Sequence, residues 1–234
     1  MRLALSPAVP PLEIAGSQIS FTTAQSVRAP AAPAGALLLK RCIDLAFAAC
    51  ALLCLSPLFL VVGILIKLTS RGPVFFRQRR LGKNGRPFDM LKFRTMIVNA
   101  EELKPLLASM NERTGPVFKM RNDPRVTKLG RVLRKFSIDE LPQFVHVLTG
   151  EMSIVGPRPP IPAEVEEYQA WHFRRLSVPP GLTCAWQVAA NRHALSFDEW
   201  VRLDLRYIDG WSPALDLKLI FMTIPVVFTG RGQS

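Results

Sequence analysis

The sequence predicts an α+β protein in which a membrane-embedded apolar helix precedes a small cytosolic domain of helices and short strands. Residues 42–66 carry a single charge, Asp44, and are long enough to cross a bilayer. The chain then changes to mixed segments, some alternating like strands and others spaced like amphipathic helices. A net charge of +12 with 49% hydrophobic residues favours an anionic membrane surface over nucleic acid as partner.

Composition divides the chain into three regions. Residues 1–38 are rich in Pro, Ala, Ser and Thr with little charge, which predicts a disordered N-terminal tail. Residues 39–69 hold the membrane helix, and residues 70–234 form the cytosolic domain. The four cysteines include no CxxC pair, so a zinc site has little support and we expect reduced thiols in or facing the cytosol.

The apolar segment has Ser56-Pro57 at its middle, where proline removes a backbone hydrogen bond and bends a helix. Positive charges flank both ends, beginning with Lys40 and Arg41 before it and Lys67 after it, and the positive-inside tendency favours the cytoplasm for both. A helix that enters one leaflet, turns at Ser56-Pro57 and returns satisfies both features if a group such as the Ser56 hydroxyl bonds the freed backbone. The residues alone leave this re-entrant hairpin and a simple crossing open.

The sequence of the cytosolic region predicts a series of short helices and strands. VFF and FDMLKF predict a hairpin through a Gly-rich basic turn, and residues 99–110 predict an amphipathic helix. A basic helix precedes residue 136, LPQFVHVLTG predicts a helix with Gly150 as C-cap, and MSIVGPRPPIP predicts a strand and a proline turn. PAEVEEYQAWHFRRL predicts a helix, and SFDEWVRLDLRYIDGW another with a capping box at Ser196 and Glu199. The apolar segment ALDLKLIFMTIPVVFTG suits a helix lying in the membrane interface.

The motif FSIDELPQ places two carboxylates, Asp139 and Glu140, side by side. Ser137 three residues before Glu140 fits a capping box, so the local pattern favours a helix start. Pro142 disagrees, because its missing N–H would fall inside that helix. A helix that begins near Pro142 would instead leave both carboxylates on the turn before it. The local pattern leaves both arrangements open.

Basic residues near this motif occur in separate short motifs rather than in one continuous run. Lys92 and Arg94 belong to LKFRTM, Arg134 precedes Asp139 by five residues, and Arg158 stands between prolines. Each one alone is better explained as a solvated surface charge. Their convergence on paired carboxylates would suit phosphoryl transfer, because carboxylates can hold Mg²⁺ or attack phosphorus while arginines neutralise phosphate charge. His146 is expected to provide packing or polar support on its helix.

Several motifs follow one another from about residue 39 onward: KRCIDL, LSPL, SRGPVFFRQRRLG, LKFRTM, DPRVTKLGRVLRKFSIDELPQ, VLTGEMSIVGPRP and PGLT…WQV. In this order they resemble the bacterial sugar transferases, the monotopic polyprenyl-phosphate phosphoglycosyltransferases, and in particular the short hexose-1-phosphate transferases of exopolysaccharide synthesis. The resemblance implies transfer of a sugar 1-phosphate, expected to be that of glucose or galactose, from a UDP-sugar to undecaprenyl phosphate with release of UMP. It also implies ping-pong chemistry through a covalent aspartyl-phosphosugar, with Mg²⁺, as the first membrane step of that synthesis.

The resemblance also gives roles to residues. Asp139 would be the nucleophile and Glu140 its partner, and both would hold the metal. Arg134, Arg158, Lys92 and Arg94 fall on basic positions of the family motifs and are expected to bind substrate phosphate. Ser56 and Pro57 correspond to the break of a re-entrant membrane helix.

The implied architecture is a re-entrant membrane helix-hairpin plus a small cytosolic α/β catalytic domain with interfacial amphipathic helices. We expect a monotopic protein on the cytosolic face of the bacterial inner membrane. Its expected partners are a UDP-sugar, undecaprenyl phosphate, anionic lipids and, as a further candidate, a second copy of the chain; nucleic acid is not among them. The alternative is a non-enzymatic membrane adaptor of a polysaccharide assembly complex, which would tolerate loss of Asp139 and Glu140. His146, residues 184–186 and residues 189–192 depart from the family pattern and leave the sugar unassigned.

Overall fold

The computed structural model describes residues 32–112, 115–118, 120, 122–189 and 194–229, and the backbone of residues 12–14 and 17–19. Strands β1 (Leu12–Ile14) and β2 (Ser17–Ile19) form an antiparallel pair. The tail predicted to be disordered falls mostly outside the described residues. From residue 32 onward, one long helix lies against a domain of shorter helices and two small sheets.

Helix α1 (Ala34–Thr69) contains the apolar segment and begins ahead of the predicted boundary at residue 39. Among the described residues it is the one helix long and apolar enough to cross a membrane. Pro57 lies inside it, and a proline at this position cannot bond the carbonyl of Leu53 four residues earlier. The Ser56 hydroxyl donates to that carbonyl at 2.8 Å. The predicted partner for the freed backbone group is therefore confirmed.

Both halves of α1 contact the same domain. Before Ser56-Pro57, the buried Asp44 carboxylate accepts a hydrogen bond from the backbone N–H of Ile154 at 3.0 Å. After it, Ile66 is buried in an apolar cluster with Phe93 and Leu133. The two flanks of the apolar segment therefore both contact the domain that follows α1.

The predicted hairpin is confirmed. Strands β3 (Phe75–Leu81) and β4 (Pro87–Phe93) pair antiparallel along their full length. Asn84 in the connecting turn has a left-handed backbone with φ of 56°, which asparagine tolerates better than most residues. The hairpin extends further than VFF alone indicated, because RQRR continues the strand.

The helices that follow differ in how closely they match their predicted lengths. They are α2 (Ala100–Leu103), α3 (Lys128–Lys135), α4 (Phe144–Thr149), α5 (Pro162–Glu166), α6 (Phe197–Asp209) and α7 (Pro213–Phe228). Pro105 divides the predicted helix over 99–110, and a 3-10 segment follows it. The helix predicted from PAEVEEYQAWHFRRL is likewise reduced to α5 and a 3-10 turn at His172–Ser177.

The sequence signals for the ends of helices predicted the structure better than the expected helix lengths did. Gly150 ends α4 in the left-handed conformation with φ of 88°. The capping box before α6 is confirmed, since the Ser196 backbone N–H donates to the Glu199 carboxylate at 2.7 Å and the Glu199 N–H donates back to the Ser196 hydroxyl. Strands β5 (Ser153–Val155) and β6 (Gly181–Thr183) pair in parallel.

Helix α7 differs from the predicted amphipathic helix because its exposed surface is largely apolar. Its exposed large side chains are Leu217, Phe221, Met222, Ile224 and Phe228. Its inner face is fixed by two buried residues, Asp216 and Leu219. A helix with apolar residues over most of its surface fits burial in the headgroup region, and this position in the membrane stays a prediction.

Candidate active site

The segment that holds the two carboxylates is a 3-10 turn, Ile138–Gln143, placed between α3 and α4. Ser137 has a left-handed backbone with φ of 54° and makes no capping hydrogen bond through its side chain. Its backbone carbonyl accepts the Glu140 N–H at 3.2 Å instead. The capping box expected at Ser137 is therefore wrong, because the chain turns sharply there as it leaves α3. The alternative is confirmed: the α-helix begins after Pro142 and leaves both carboxylates before it.

Asp139 is buried, with 3% of its surface exposed. Its Oδ1 has no hydrogen-bond partner among the described residues. Burial raises the pKa of Asp139 to about 6, against the opposing effect of the Lys92 cation. A carboxylate held in this way keeps a lone pair directed at no donor in the described part of the chain, and it is still ionised near neutral pH.

Glu140 has a different environment from its neighbour. Burial works against its ionisation, but the Lys92, Arg158 and Arg80 cations together outweigh burial and lower the pKa of Glu140. The Lys92 ammonium donates to Glu140 Oε1 at 2.6 Å. Two adjacent carboxyls with pKa values shifted in opposite directions are typical of a pair with separate chemical tasks.

Arg134 reaches the site from the last turn of α3. Its Nε donates to the Thr95 hydroxyl at 2.9 Å, and burial lowers its pKa while the Asp139 charge opposes that shift. Helix α3 can approach Thr95 this closely because of Gly130, where a Cβ would lie 2.0 Å from the Thr95 carbonyl oxygen. The predicted convergence of Arg134 with Asp139 is thus a consequence of backbone packing.

Arg158 and Arg80 bring two more cations to the site. Arg158 forms an ion pair with the buried Glu164 at 3.1 Å, and this carboxylate raises the arginine's pKa against the effect of burial. Arg80 donates to the Pro159 carbonyl at 2.8 Å, and burial together with the Arg158 charge lowers its pKa to about 9. Both guanidinium groups are therefore fixed at the cleft, whose lining among the described residues carries seven Lys and Arg side chains against five Asp and Glu.

Arg94 makes its hydrogen bonds at the end of the membrane helix. Its guanidinium donates to the carbonyl and hydroxyl of Ser70, at 3.0 and 2.9 Å, and to the Arg71 carbonyl. These contacts hold the C-terminus of α1 against β4. Arg94 also lines the cleft, and its predicted contact with phosphate stays a prediction.

His146 provides the polar support that the sequence predicts. Its Nε2 accepts the Leu91 backbone N–H at 2.9 Å, which leaves the proton on Nδ1. Nδ1 then donates to the Glu151 carboxylate at 2.7 Å. The imidazole therefore links α4 to β4 at Leu91, the residue next to Lys92.

These residues surround a cleft of about 440 Å³. The structure brings together in it six residues predicted for the site: Lys92, Arg94, Arg134, Asp139, Glu140 and Arg158. One wall carries Trp186 and Trp200, whose rings are stacked with centroids 4.1 Å apart. Of the departures from the family pattern, residues 190–192 lie outside the described part of the chain.

Residues 35–230 match the family described as Bacterial sugar transferase. The chain belongs to this family. Among its relatives are the galactosyl transferase CpsE of Streptococcus agalactiae, 46% identical, and the exopolysaccharide production protein ExoY of Rhizobium meliloti, 43% identical. The UDP-glucose:undecaprenyl-phosphate glucose-1-phosphate transferase of Escherichia coli is 41% identical. The matches cover 84%, 83% and 80% of this chain, but 43%, 87% and 39% of those proteins, so the chain spans less than half of two of them.

The cleft of this sugar transferase family member contains carboxylate oxygens of the kind that Mg²⁺ binds in proteins. The described residues include no cluster of three or more His, Cys, Asp or Glu side chains that could hold a metal alone. Mg²⁺ is commonly bound by one or two carboxylates, with substrate phosphates and water completing its shell. Asp139, with its unpartnered oxygen, and Glu140 fit that requirement. Magnesium binding stays a prediction.

Arg80 and Glu164 of this sugar transferase site were not predicted. Arg80 was read only as part of the charge flanking the membrane helix, and Glu164 only as part of a helix. The alternation of β3 could have separated Arg80 from the exposed Arg77 and Arg79, because residues of opposite parity face opposite sides of a strand. No local signal indicated that Glu164 would pair with Arg158.

Proposed function

We propose that the protein transfers a sugar 1-phosphate from a UDP-sugar to undecaprenyl phosphate and releases UMP. The observation that carries the proposal is the environment of Asp139, a buried carboxylate with an unpartnered oxygen inside a cationic cleft. The names of relatives agree with it, since they include a UDP-glucose:undecaprenyl-phosphate glucose-1-phosphate transferase and a UDP-galactose-lipid carrier transferase. Glucose and galactose are therefore the sugars that we expect.

The first half-reaction is an attack by Asp139 on the β-phosphorus of the UDP-sugar. An Oδ–P bond forms as the bond between that phosphorus and the bridging oxygen breaks, and UMP leaves with the bonding pair. The product is an aspartyl-phosphosugar. Because the pKa of Asp139 is about 6, its carboxyl group is ionised at neutral pH. The carboxylate can therefore attack without a separate deprotonation step.

The second half-reaction returns Asp139 to its starting state. A phosphate oxygen of undecaprenyl phosphate attacks the same phosphorus, the Asp139 Oδ–P bond breaks, and undecaprenyl diphosphate-sugar is released. The cations Lys92, Arg134 and Arg158 would neutralise the phosphate charge that accumulates in the cleft in both steps. Mg²⁺ held by Asp139 or Glu140 would further neutralise diphosphate charge when bound.

We propose that α1 is a re-entrant hairpin in the cytoplasmic leaflet, so that the enzyme is monotopic. The contacts of Asp44 and Ile66 with one domain support this arrangement, as do the flanking cations and the hydroxyl bond at Ser56-Pro57. Epitope tags at residues 1 and 234 should both be protected from added protease in intact spheroplasts and both be cleaved after lysis. An N-terminal tag cleaved in intact spheroplasts would exclude the hairpin.

The catalytic proposal is tested by UMP release from purified protein given undecaprenyl phosphate and a panel of UDP-sugars, beginning with UDP-glucose and UDP-galactose. We expect Asp139→Asn to abolish UMP release and the covalent phosphosugar while still fractionating with membranes. Asp89→Asn is a matched control, because this exposed carboxylate lies outside the cleft. Full turnover by the Asp139 variant would refute the nucleophile assignment. Absence of UMP release by the wild type with every UDP-sugar would refute the proposed reaction.

A further inference from the structure

Gln143 is the last residue of the 3-10 turn that carries Asp139, and it lines the same cleft. It is buried, with 3% of its surface exposed, and its Nε2 has no hydrogen-bond partner among the described residues. A buried amide donor without a partner lowers the stability of a fold, and such groups in native structures usually have a functional reason. The side chain therefore needs a partner that the described residues do not supply.

The unpartnered atoms of Gln143 and Asp139 are complementary. One is a donor, Nε2, and the other an acceptor, Oδ1, yet the two do not bond to each other. Asp139 and Gln143 belong to the same short 3-10 turn and line the same cleft, so one ligand group in the cleft can contact both side chains. Both residues line the cleft, and a group with acceptor oxygens bonded to Asp139 would give the Gln143 amide a partner.

We infer that Gln143 is a further catalytic residue, whose amide donates to a non-bridging oxygen of the phosphoryl group bonded to Asp139. This inference rests on the proposed function, because the phosphoryl group is the one transferred there. An amide suits this position since it is a neutral donor. It can stabilise charge on the phosphoryl oxygens without lowering the nucleophilicity of Asp139, whereas a further cation would lower it.

The inference predicts a kinetic pattern that separates Gln143 from other residues of the cleft. The same phosphoryl group is present in both half-reactions, first on the UDP-sugar and then on Asp139. A group that binds the nucleotide would affect only the first half-reaction, and one that binds the lipid phosphate only the second. Loss of the Gln143 donor should slow both by a similar factor.

The variants Gln143→Met and Gln143→Glu test this pattern. Methionine has a similar length without a donor, and glutamate keeps the shape while it replaces the donor by an anion. Single-turnover UMP release without lipid measures the first half-reaction. The second is measured by chasing preloaded phosphosugar enzyme with undecaprenyl phosphate. We expect each rate to fall about 100-fold, the effect typical of losing one such donor. Gln169→Met removes an amide outside the cleft as the matched control, with rates unchanged.

Thermal unfolding provides a readout independent of activity. Because the Gln143 Nε2 has no partner among the described residues, Gln143→Met should unfold at the same temperature as the wild type or higher. A lower unfolding temperature, unchanged rates in both variants, or a loss confined to one half-reaction would each overturn the inference. If the wild type itself releases no UMP, the proposed function fails instead, which the same assay reports separately.

Discussion

Removal of Asp216 should weaken the attachment of α1 to the domain. This buried carboxylate of α7 accepts three hydrogen bonds, from the Lys40 ammonium at 2.7 Å, the Tyr207 hydroxyl at 2.8 Å and the Trp211 indole at 3.1 Å. Lys40 lies in α1 just before the apolar segment. In Asp216→Leu the lysine charge stays enclosed without its counter-ion, while Tyr207 keeps its second bond to the Val155 carbonyl.

The magnitude follows from this geometry. Removing one partner of a buried ion pair costs about 3 to 5 kcal/mol, because the other charge remains desolvated. For a chain of this size each kcal/mol lowers the unfolding temperature by about 2 to 4 °C, so the total is about 6 to 20 °C. In Lys40→Met with Asp216→Leu no unpaired charge remains, and much of that loss should be recovered.

The assay is thermal unfolding of the detergent-solubilised protein, followed by circular dichroism. The matched control is Asp89→Asn, which breaks the Arg79–Asp89 pair, where the two side chains are 57% and 56% exposed. Exposed pairs contribute at most about 1 kcal/mol, so this variant should unfold near the wild-type temperature. The reasoning is refuted if Asp216→Leu is no less stable than Asp89→Asn, or if the double variant is no more stable than Asp216→Leu.

The remaining predictions concern the site and its supports. Because burial raises the pKa of Asp139 to about 6, single-turnover UMP release should fall as pH drops below about 6, and a rate that is flat from pH 5 to 8 would contradict this. The same raised pKa means that the ionised Asp139 destabilises the folded state, so Asp139→Asn should unfold at a higher temperature than the wild type at pH 8. This difference should become smaller towards pH 4, where Asp139 becomes neutral like asparagine. Equal unfolding temperatures at pH 8 and at pH 4 would refute it. Ser56→Ala removes the hydroxyl bond inside the apolar segment and should cost about 1 kcal/mol, measured by unfolding in bilayer nanodiscs, and a melting temperature equal to wild type would count against that role. Gly130→Ala should unfold several degrees earlier because its Cβ would meet the Thr95 carbonyl oxygen, whereas Gly35→Ala, which meets nothing, should not; equal melting of the two would contradict the packing argument.

Features of the fold with local causes could be predicted from sequence. The capping box at Ser196, the C-cap at Gly150 and the hairpin each depend on residues within one turn or one strand pair. Helix lengths could not be predicted, because Pro105 and the contacts of residues 167–177 override helical periodicity. The left-handed Ser137 depends on how α3 meets the following turn, and no pattern within FSIDELPQ contains that information.

The candidate site was predictable in membership but not in arrangement. The motifs identify Asp139, Glu140 and the basic residues near them. Which cation pairs with which carboxylate depends on contacts across the fold, such as Lys92 with Glu140 and Arg158 with Glu164. Gln143 was missed because a glutamine beside a proline carries no signal until its amide is found buried and unpartnered.

The attachment of both flanks of α1 to one domain has a consequence for the choice of membrane. A helix that crosses a bilayer must match its hydrocarbon thickness, and mismatch costs free energy that sorts proteins among membranes. A hairpin confined to one leaflet has no second interface to reach, so its fit depends on the depth of that leaflet's headgroups alone. For the proposed hairpin, the proposed transfer should accordingly keep the same rate in vesicles whose acyl chains are lengthened, with the height of Asp139 above the lipid phosphate unchanged.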